Sequence, residues 1–206
     1  MTRTVTVVPL LLALFIVGCK TAPEAPKSEN QEAIIQLDRK MELLEQIEKK
    51  YENPEAHYQL GKLSYEEGHL DKADFEYHVA LGFDPVHYRA QAGLVRVATD
   101  QKQADRARII AELYINQAAV SAPASIRLGK AFQNEGLGDY ALSCYYQASG
   151  VAPKSPEPYK LIGYHYLEKG DKVRAEENFR RSFELDPYQA DVAAELGRLG
   201  VVIGSP

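Results

Sequence analysis

Residues 156–187 read PEPYKLIGYHYLEKGDKVRAEENFRRSFELDP, and their apolar side chains recur at intervals of three and four. This spacing places those side chains on one face of each of two helices. Gly170 separates the two segments, at a point where a Gly readily takes the left-handed conformation that ends a helix. The pair Asp186–Pro187 stops the second segment. The stretch therefore predicts two helices joined by a tight turn.

The same pattern recurs along the chain at a fixed interval, and residues at the same position of successive units are here called a column. The interval, or repeat period, is about 34 residues, which is typical of stacked helix pairs that bury their apolar faces against their neighbours. Such arrays offer an extended concave surface, so the period favours binding over catalysis. The main columns are Leu60, Leu94, Leu128, Ile162; Ala73, Ala107, Ala141, Ala175; Tyr77, Ala111, Tyr145, Phe179; and Pro85, Ala119, Pro153, Pro187.

Read along one unit, the columns give a bulky residue, Leu-Gly, an aromatic residue, Ala, a second aromatic residue and a closing Pro. This order resembles the tetratricopeptide repeat (TPR) motif over about residues 54–200. The resemblance implies an all-α fold, a right-handed superhelical α-solenoid of helix hairpins. Small residues are expected where two helices approach closely, and aromatic residues where space between them must be filled. The fourth unit is the fullest, with Tyr159, Ile162, Gly163, Tyr166, Ala175, Phe179, Ser182 and Pro187.

The second unit departs from the motif but keeps its phase. Val95 stands where the motif has Gly, and Ala111 stands where it has the second aromatic residue. Lys102 replaces the Gly that ends the first helix in the other units. Leu94 and Ala107 remain in their columns. We therefore expect a degenerate repeat whose turn is the loosest joint of the array.

The repeat columns divide the chain into four repeats and two terminal segments. The phase continues to Leu196 and Gly197, which predicts a closing helix. The repeats are predicted at 54–87, 88–121, 122–155 and 156–189, and residues 190–206 are a C-terminal capping helix and tail.

Residues 31–52 are predicted to form an N-terminal capping helix that covers the edge of the first repeat. Arg39 falls in the Ala column, so this segment does not count as a further repeat. The alternative is a homodimer contact or a short coiled coil. The apolar face that permits either function contains Ile34, Leu37, Met41, Leu44 and Ile47.

Residues 1–18 have the pattern of a targeting segment. Arg3 gives a positive start, and the apolar run from Val5 to Val17 is too short for a helix that spans a bilayer. The run ends at Gly18–Cys19, which resembles the lipobox of bacterial lipoproteins. The resemblance implies a cleaved lipoprotein signal peptide and an acylated, palmitate-type anchor on Cys19. An ordinary secretory signal and an uncleaved anchor are the alternatives.

Residues 19–30 are predicted to be the lipidated Cys19 and a flexible linker, since the segment lacks large apolar side chains. In Gram-negative lipoproteins an Asp after the Cys usually retains the protein in the inner membrane. Lys20 occupies that place here. By analogy with the family, we expect attachment to the outer membrane, facing the periplasm.

Composition and motifs argue against several other functions. The formal net charge of −5 disfavours a nucleic-acid partner. The sequence contains no HExxH, GxxxxGK or GxSxG motif, and its five His are scattered over different units. We predict no catalytic residues, no metal, no cofactor and no small-molecule substrate. Cys144 is expected to be a buried, inert thiol.

In TPR proteins the first helix of each unit lines a concave groove. Carried onto this sequence, the resemblance implies a largely basic stripe beside tyrosines. Such a surface suits proteins or peptides with acidic side chains or C-terminal carboxylates. An ordinary solvated face is the alternative, because Glu66, Asp100 and Glu168 lie nearby. The predicted groove residues are Tyr58, Lys62, Tyr65, Arg89, Arg96, Lys130, Lys160, Tyr164 and Arg198.

The whole layout, a lipobox followed by a linker and several repeats, resembles the pilotin lipoproteins of type IV pili and the TPR lipoproteins of tight-adherence pilus systems. It implies a scaffold or assembly factor for protein–protein contacts in the cell envelope, and the expected setting is a pilus or secretion system. A self-associating structural module and an adaptor that binds cell-wall glycans are the alternatives.

Overall fold

A computed structural model describes residues 29–202, without the side chains of residues 29, 30, 32 and 33. This part of the chain is helical throughout its elements, which confirms the all-α fold. The ten helices in this range are α1 (Glu29–Lys49), α2 (Pro54–Glu66), α3 (Leu70–Phe83), α4 (Tyr88–Asp100), α5 (Ala104–Ala118), α6 (Ala122–Asn134), α7 (Gly138–Val151), α8 (Pro156–Glu168), α9 (Lys172–Leu185) and α10 (Ala190–Arg198).

Helices α2 to α9 form four consecutive hairpins, with α1 before them and α10 after them. The first helix of each hairpin packs against its own second helix and against the hairpin before it. Helix α1 begins slightly before the predicted segment and ends slightly earlier than predicted. The first helices and α10 begin exactly one repeat period apart, at Pro54, Tyr88, Ala122, Pro156 and Ala190.

In three of the hairpins a Gly lies directly beneath an aromatic ring. A Cβ built on Gly61 would lie 2.8 Å from the ring of Tyr77, which is closer than Cβ atoms pack. The corresponding distances are 2.5 Å from Gly129 to Tyr145 and 2.6 Å from Gly163 to Phe179. The aromatic rings are buried. The expected close approach at the Gly column is therefore confirmed, and each ring fills the space that the Gly leaves.

In the degenerate second hairpin, the larger of the two facing side chains lies on the first helix and the smaller one on the second helix. Val95 occupies the Gly column and Ala111 the aromatic column, and both are fully buried. The larger residue on the first helix fills the space that the smaller residue on the second helix leaves. The core of this unit therefore remains buried although the motif residues are lost.

The turn of this second hairpin has the same conformation as the others. Lys102 has φ of 59°, close to the 79°, 72° and 77° of Gly68, Gly136 and Gly170. Its amide donates to the carbonyl of Thr99 at 2.9 Å, as the turn glycines do three residues back. A residue with a Cβ incurs a strain of roughly 1 kcal/mol in this left-handed region. The turn is thus closed and hydrogen-bonded, but at a higher conformational cost.

Helix α1 packs against α2 in the position that the second helix of a preceding repeat would occupy. It ends at Lys49, one repeat period before the end of α3 at Phe83. Arg39, in the Ala column, lies on the surface and donates to the Gln59 side chain at 2.6 Å. The α1–α2 core contains Leu43, Ala56 and Leu63, each one repeat period before Tyr77, Ala90 and Val97 of the next core.

Within residues 29–202, none of the helices is long and apolar enough to cross a lipid bilayer.

The Gly–aromatic contact predicts a large effect of one methyl group. We expect Gly129→Ala to destabilise the fold by about 2–3 kcal/mol, because the new Cβ overlaps the Tyr145 ring and Cys144. Urea denaturation followed by circular dichroism measures this change in the free energy of unfolding. Gly150→Ala is the matched control, because a Cβ there meets nothing within 4 Å. Equal stability of the two variants would contradict the proposed packing constraint.

Candidate binding groove

The face formed by α2, α4, α6, α8 and α10 is the candidate binding groove. Its central column is exposed or half-exposed along the whole array. The column contains Lys62, Arg96, Lys130, Tyr164 and Arg198, one residue from each of these helices. The predicted stripe is therefore present as a row of side chains on one face.

The cations of this row, and the neighbouring Arg89 and Lys160, are paired with acids of the same or a neighbouring helix. Arg89 on α4 lies 2.5 Å from Glu55 on α2. Lys130 on α6 lies 2.8 Å from Glu157 on α8. Such pairs tie adjacent units together and balance the charge of the groove. The other pairs are Lys62–Glu66, Arg96–Asp100, Lys160–Asp191 and Arg198–Glu195.

The tyrosines differ in how much of each ring is available to a ligand. Tyr58 is only 4% exposed, so the prediction that it lines the groove surface is wrong. Its ring stacks on Tyr77 at 5.9 Å and is covered by the guanidinium of Arg89 at 4.7 Å. Tyr65 and Tyr164 are half-buried and keep part of their rings on the surface.

Tyr65, Arg96 and Asp100 form a small polar cluster between α2 and α4. The Tyr65 hydroxyl and the Arg96 guanidinium both donate to Oδ2 of Asp100, at 2.5 and 2.9 Å. Burial raises the pKa of Asp100, but the hydrogen bonds from Tyr65 and Arg96 outweigh it and leave this pKa below its ordinary value. Asp100 therefore stays ionised and holds Arg96 in place.

A cleft of about 340 Å³ opens between α4 and α6. Three cationic side chains converge on it from the two helices. Its walls also carry a Tyr ring, an imidazole and an amide. The lining residues are His87, Tyr88, Arg89, Arg127, Lys130, Ala131 and Asn134.

Arg127 is the cation of this cleft that has no acidic partner among residues 29–202. It is exposed, and its guanidinium lies 5.6 Å from the centre of the Tyr88 ring. Sequence reasoning missed it because no other member of its column is basic. The available signal was its position three residues before Lys130, which places both side chains on the same side of α6.

His87 fixes one edge of the cleft. Its Nδ1 accepts the amide N–H of Ala90 at 3.2 Å and so caps the N-terminus of α4. Its Nε2 lies 3.1 Å from Glu55. Because Nδ1 accepts, Nε2 is the nitrogen that donates to Glu55. His87 therefore positions the same carboxylate that pairs with Arg89.

Glu135 is a second groove residue that sequence reasoning did not identify. Its backbone carbonyl accepts from Arg96 at 2.8 Å. Burial raises the pKa of its carboxyl group above the ordinary value, although Lys62 and Arg96 partly lower it. Glu135 is the C-cap of α6 and meets Arg96 because α4 and α6 pack together, a contact that no local pattern in the sequence shows.

Residues 29–202 contain no group of three or more His, Cys, Asp or Glu placed to hold a metal ion. Cys144 is buried, as expected, and burial raises the pKa of its thiol to about 12. A thiol with so high a pKa carries little thiolate near neutral pH and is a poor nucleophile.

No protein-family model matches the sequence, and no curated protein matches it. Among solved structures, MamA from Desulfovibrio magneticus RS-1 is similar at 22% identity and a TM-score of 0.43, over 75% of this chain and 88% of that chain. A thermophilic TPR protein of Thermus thermophilus has 17% identity and a TM-score of 0.43, over 83% and 95%. PilF of Pseudomonas aeruginosa has 22% identity and a TM-score of 0.41, over 71% and 67%.

The chain has the tetratricopeptide fold. This conclusion rests on the repeat columns, the helix bounds and the Gly–aromatic contacts of this chain. At these identities and TM-scores, the similar structures say nothing about a partner.

The raised pKa of Glu135 predicts a pH-dependent gain for the neutral variant Glu135→Gln. The contribution of Glu135 to the free energy of unfolding should fall as the pH rises above 4.5, the ordinary pKa, towards the higher folded pKa, because the unfolded chain ionises this carboxyl first. Glu135→Gln lacks that loss, so its advantage should appear at about pH 7 and vanish at about pH 4. Urea midpoints at both pH values measure it. The exposed Glu168→Gln is the control, and a pH-independent difference would refute the assignment.

Proposed function

We propose that this protein is a non-enzymatic, lipid-anchored scaffold whose groove binds an extended acidic segment of a partner protein. The observation that carries the proposal is the cleft between α4 and α6, where Arg89, Arg127 and Lys130 converge. A volume of about 340 Å³ lies at the lower end of the range for ligand sites and suits one or two side chains of a peptide.

The contacts around the cleft suggest how a ligand carboxylate binds. Arg127 is available without breaking an ion pair with any described residue, so it takes the first carboxylate through charge-assisted hydrogen bonds. Arg89 and Lys130 engage further acidic groups only by exchanging Glu55 and Glu157. These exchanges cost little, since exposed pairs contribute about 0–1 kcal/mol each. Binding is therefore expected to centre on Arg127.

A direct test uses a short fluorescent peptide that is rich in Asp and Glu and ends in a free carboxylate. Arg127→Ala should weaken its binding by about tenfold to a hundredfold, because one charge-assisted contact contributes roughly 1.5–3 kcal/mol. Fluorescence anisotropy measures the affinity. Arg180→Ala is the matched control, since Arg180 is an exposed Arg on α9, outside the groove, and pairs with Glu176. Unchanged affinity in Arg127→Ala would refute the groove site.

The burial of Tyr58 bears on the glycan-binding alternative. That alternative depends on exposed aromatic platforms, and Tyr58 is buried against Tyr77 on α3 and Arg89 on α4 instead. Tyr65 and Tyr164 remain only partly exposed. The cationic cleft favours an acidic peptide over a sugar.

Membrane attachment through Cys19 is the second part of the proposal. Its support is the apolar run of residues 5–17 followed by Gly18–Cys19. Residues 1–18 and Cys19 lie outside the residues that the structure describes. A lipid anchor raises the effective concentration of the groove for other membrane-bound proteins, so weak contacts suffice. Lys20 and the layout of the chain support an outer-membrane site facing the periplasm and a role in assembling a pilus or secretion system.

The anchor predicts that Cys19→Ser moves the protein from the membrane fraction to the soluble fraction. The same variant should lose the incorporation of radiolabelled palmitate, because the acylated thiol is gone. Fractionation and labelling in a bacterial host measure both results. Cys144→Ser is the control and should keep both, since that thiol is buried in a repeat. A Cys19→Ser protein that remains in the membrane would contradict lipidation at this residue.

A further inference from the structure

An apolar strip lies on the outer side of the N-terminal half, away from the groove. Met41 on α1, Phe75 on α3 and Ile109 on α5 belong to one column of the repeat lattice. They are 62%, 60% and 56% exposed. The same column carries Ser143 on α7 and Glu177 on α9. This position is therefore apolar in α1, α3 and α5 and polar in α7 and α9.

Helix α1 widens this strip. Ile34, Leu37 and Leu44 are exposed and recur with Met41 at intervals of three and four. They form one apolar face of α1. Leu43 lies on the other face and packs against α2. Scattered exposed apolar residues are ordinary, but a continuous row of them marks an interaction surface.

A cleft of about 300 Å³ runs between α1, α2 and α3 within the strip. Leu44, Leu60 and Phe75 contribute its apolar walls, and its charged lining residues are Lys40, Lys72, Asp71 and Glu76. A cleft of this size accepts a large apolar side chain of a partner. Burial of such an anchor is the usual source of affinity at an interface.

Acidic side chains border the strip. A hollow of about 560 Å³ on α1 is lined by Met41 and Leu44 together with Asp38, Glu42 and Glu48. Within residues 29–202, these three carboxylates form no ion pair. The border continues on α3 with the exposed Asp71, whereas Asp105 on α5 is paired with Arg108 at 3.9 Å.

We propose that this strip is a docking site for an amphipathic helix of another protein, one with Lys or Arg on both sides of its apolar face. The apolar face would cover Met41, Phe75 and Ile109, and its basic residues would meet the acidic border. A second copy of this chain fits poorly, because two strips face to face would bring two sets of unpaired carboxylates, Asp38 and Glu42 among them, into one interface. A bilayer with anionic lipids is repelled by the same charges.

The probe is a synthetic, fluorescent helical peptide of about 18 residues, with Leu along one face and Lys elsewhere. Its length of roughly 27 Å allows it to contact more than one of the helices α1, α3 and α5. Anisotropy titrations with the full chain should give a one-to-one complex. Phe75→Asp should weaken this complex at least about tenfold, since it removes an apolar anchor from the centre of the surface. Phe75 is exposed, so the variant should keep the wild-type thermal midpoint.

Three controls make the result decisive. Val173→Asp changes an equally exposed apolar residue outside the strip and should leave the affinity unchanged. Arg127→Ala, in the groove, should also leave it unchanged. A peptide with Glu in place of Lys should bind much more weakly. Equal binding of both peptides, or a wild-type affinity in Phe75→Asp, would overturn the proposal. So would a dimer in light scattering that Phe75→Asp abolishes, or binding to anionic lipid vesicles that depends on Phe75.

Discussion

The contact between a Gly on the first helix and an aromatic ring on the second helix sets the spacing in three of the four hairpins. Where the Gly lacks a Cβ, the two backbones approach closely enough for the ring to be buried between them. The ring of Tyr77 also lies against Gly93 of the next unit, at 2.7 Å from a Cβ built there. One side chain therefore fixes the geometry within a hairpin and between hairpins. The second hairpin shows that the constraint is on combined volume, since Val95 and Ala111 satisfy it with the sizes exchanged.

This regular spacing determines what the groove can offer. First helices repeat at a fixed distance, so acids and bases on neighbouring units meet as pairs such as Lys130–Glu157 and Lys160–Asp191. These pairs connect the units, and they also neutralise most of the cations that a ligand would use. A row of basic residues in the sequence is therefore a weaker guide to a binding site than a cation that the array leaves without an acid. Among the described residues of the cleft, Arg127, beside the Tyr88 ring, is such a cation.

The two sides of the array have different chemistry. The inner face combines a cationic cleft with a balanced network of ion pairs. The outer face of the N-terminal half combines exposed Met41 and Phe75 with carboxylates. Because the two surfaces lie on different helices, an acidic segment and a basic amphipathic helix would not compete for the same residues. A scaffold with two such surfaces is suited to holding two partners together.

The repeat period, the Gly and aromatic columns and the closing Pro were sufficient to predict the helix hairpins and their phase, because each of these features is enforced by contacts that repeat in every unit. The sequence also showed which residues share a column. It did not show which column members are covered, so Tyr58 was expected on the surface although the neighbouring hairpin buries it. Nor did it show that Lys102 closes its turn in the same left-handed conformation as a Gly. Ion pairing, burial and the cleft at Arg127 depend on residues that meet only when successive hairpins stack, and for that physical reason only the tertiary structure decided them.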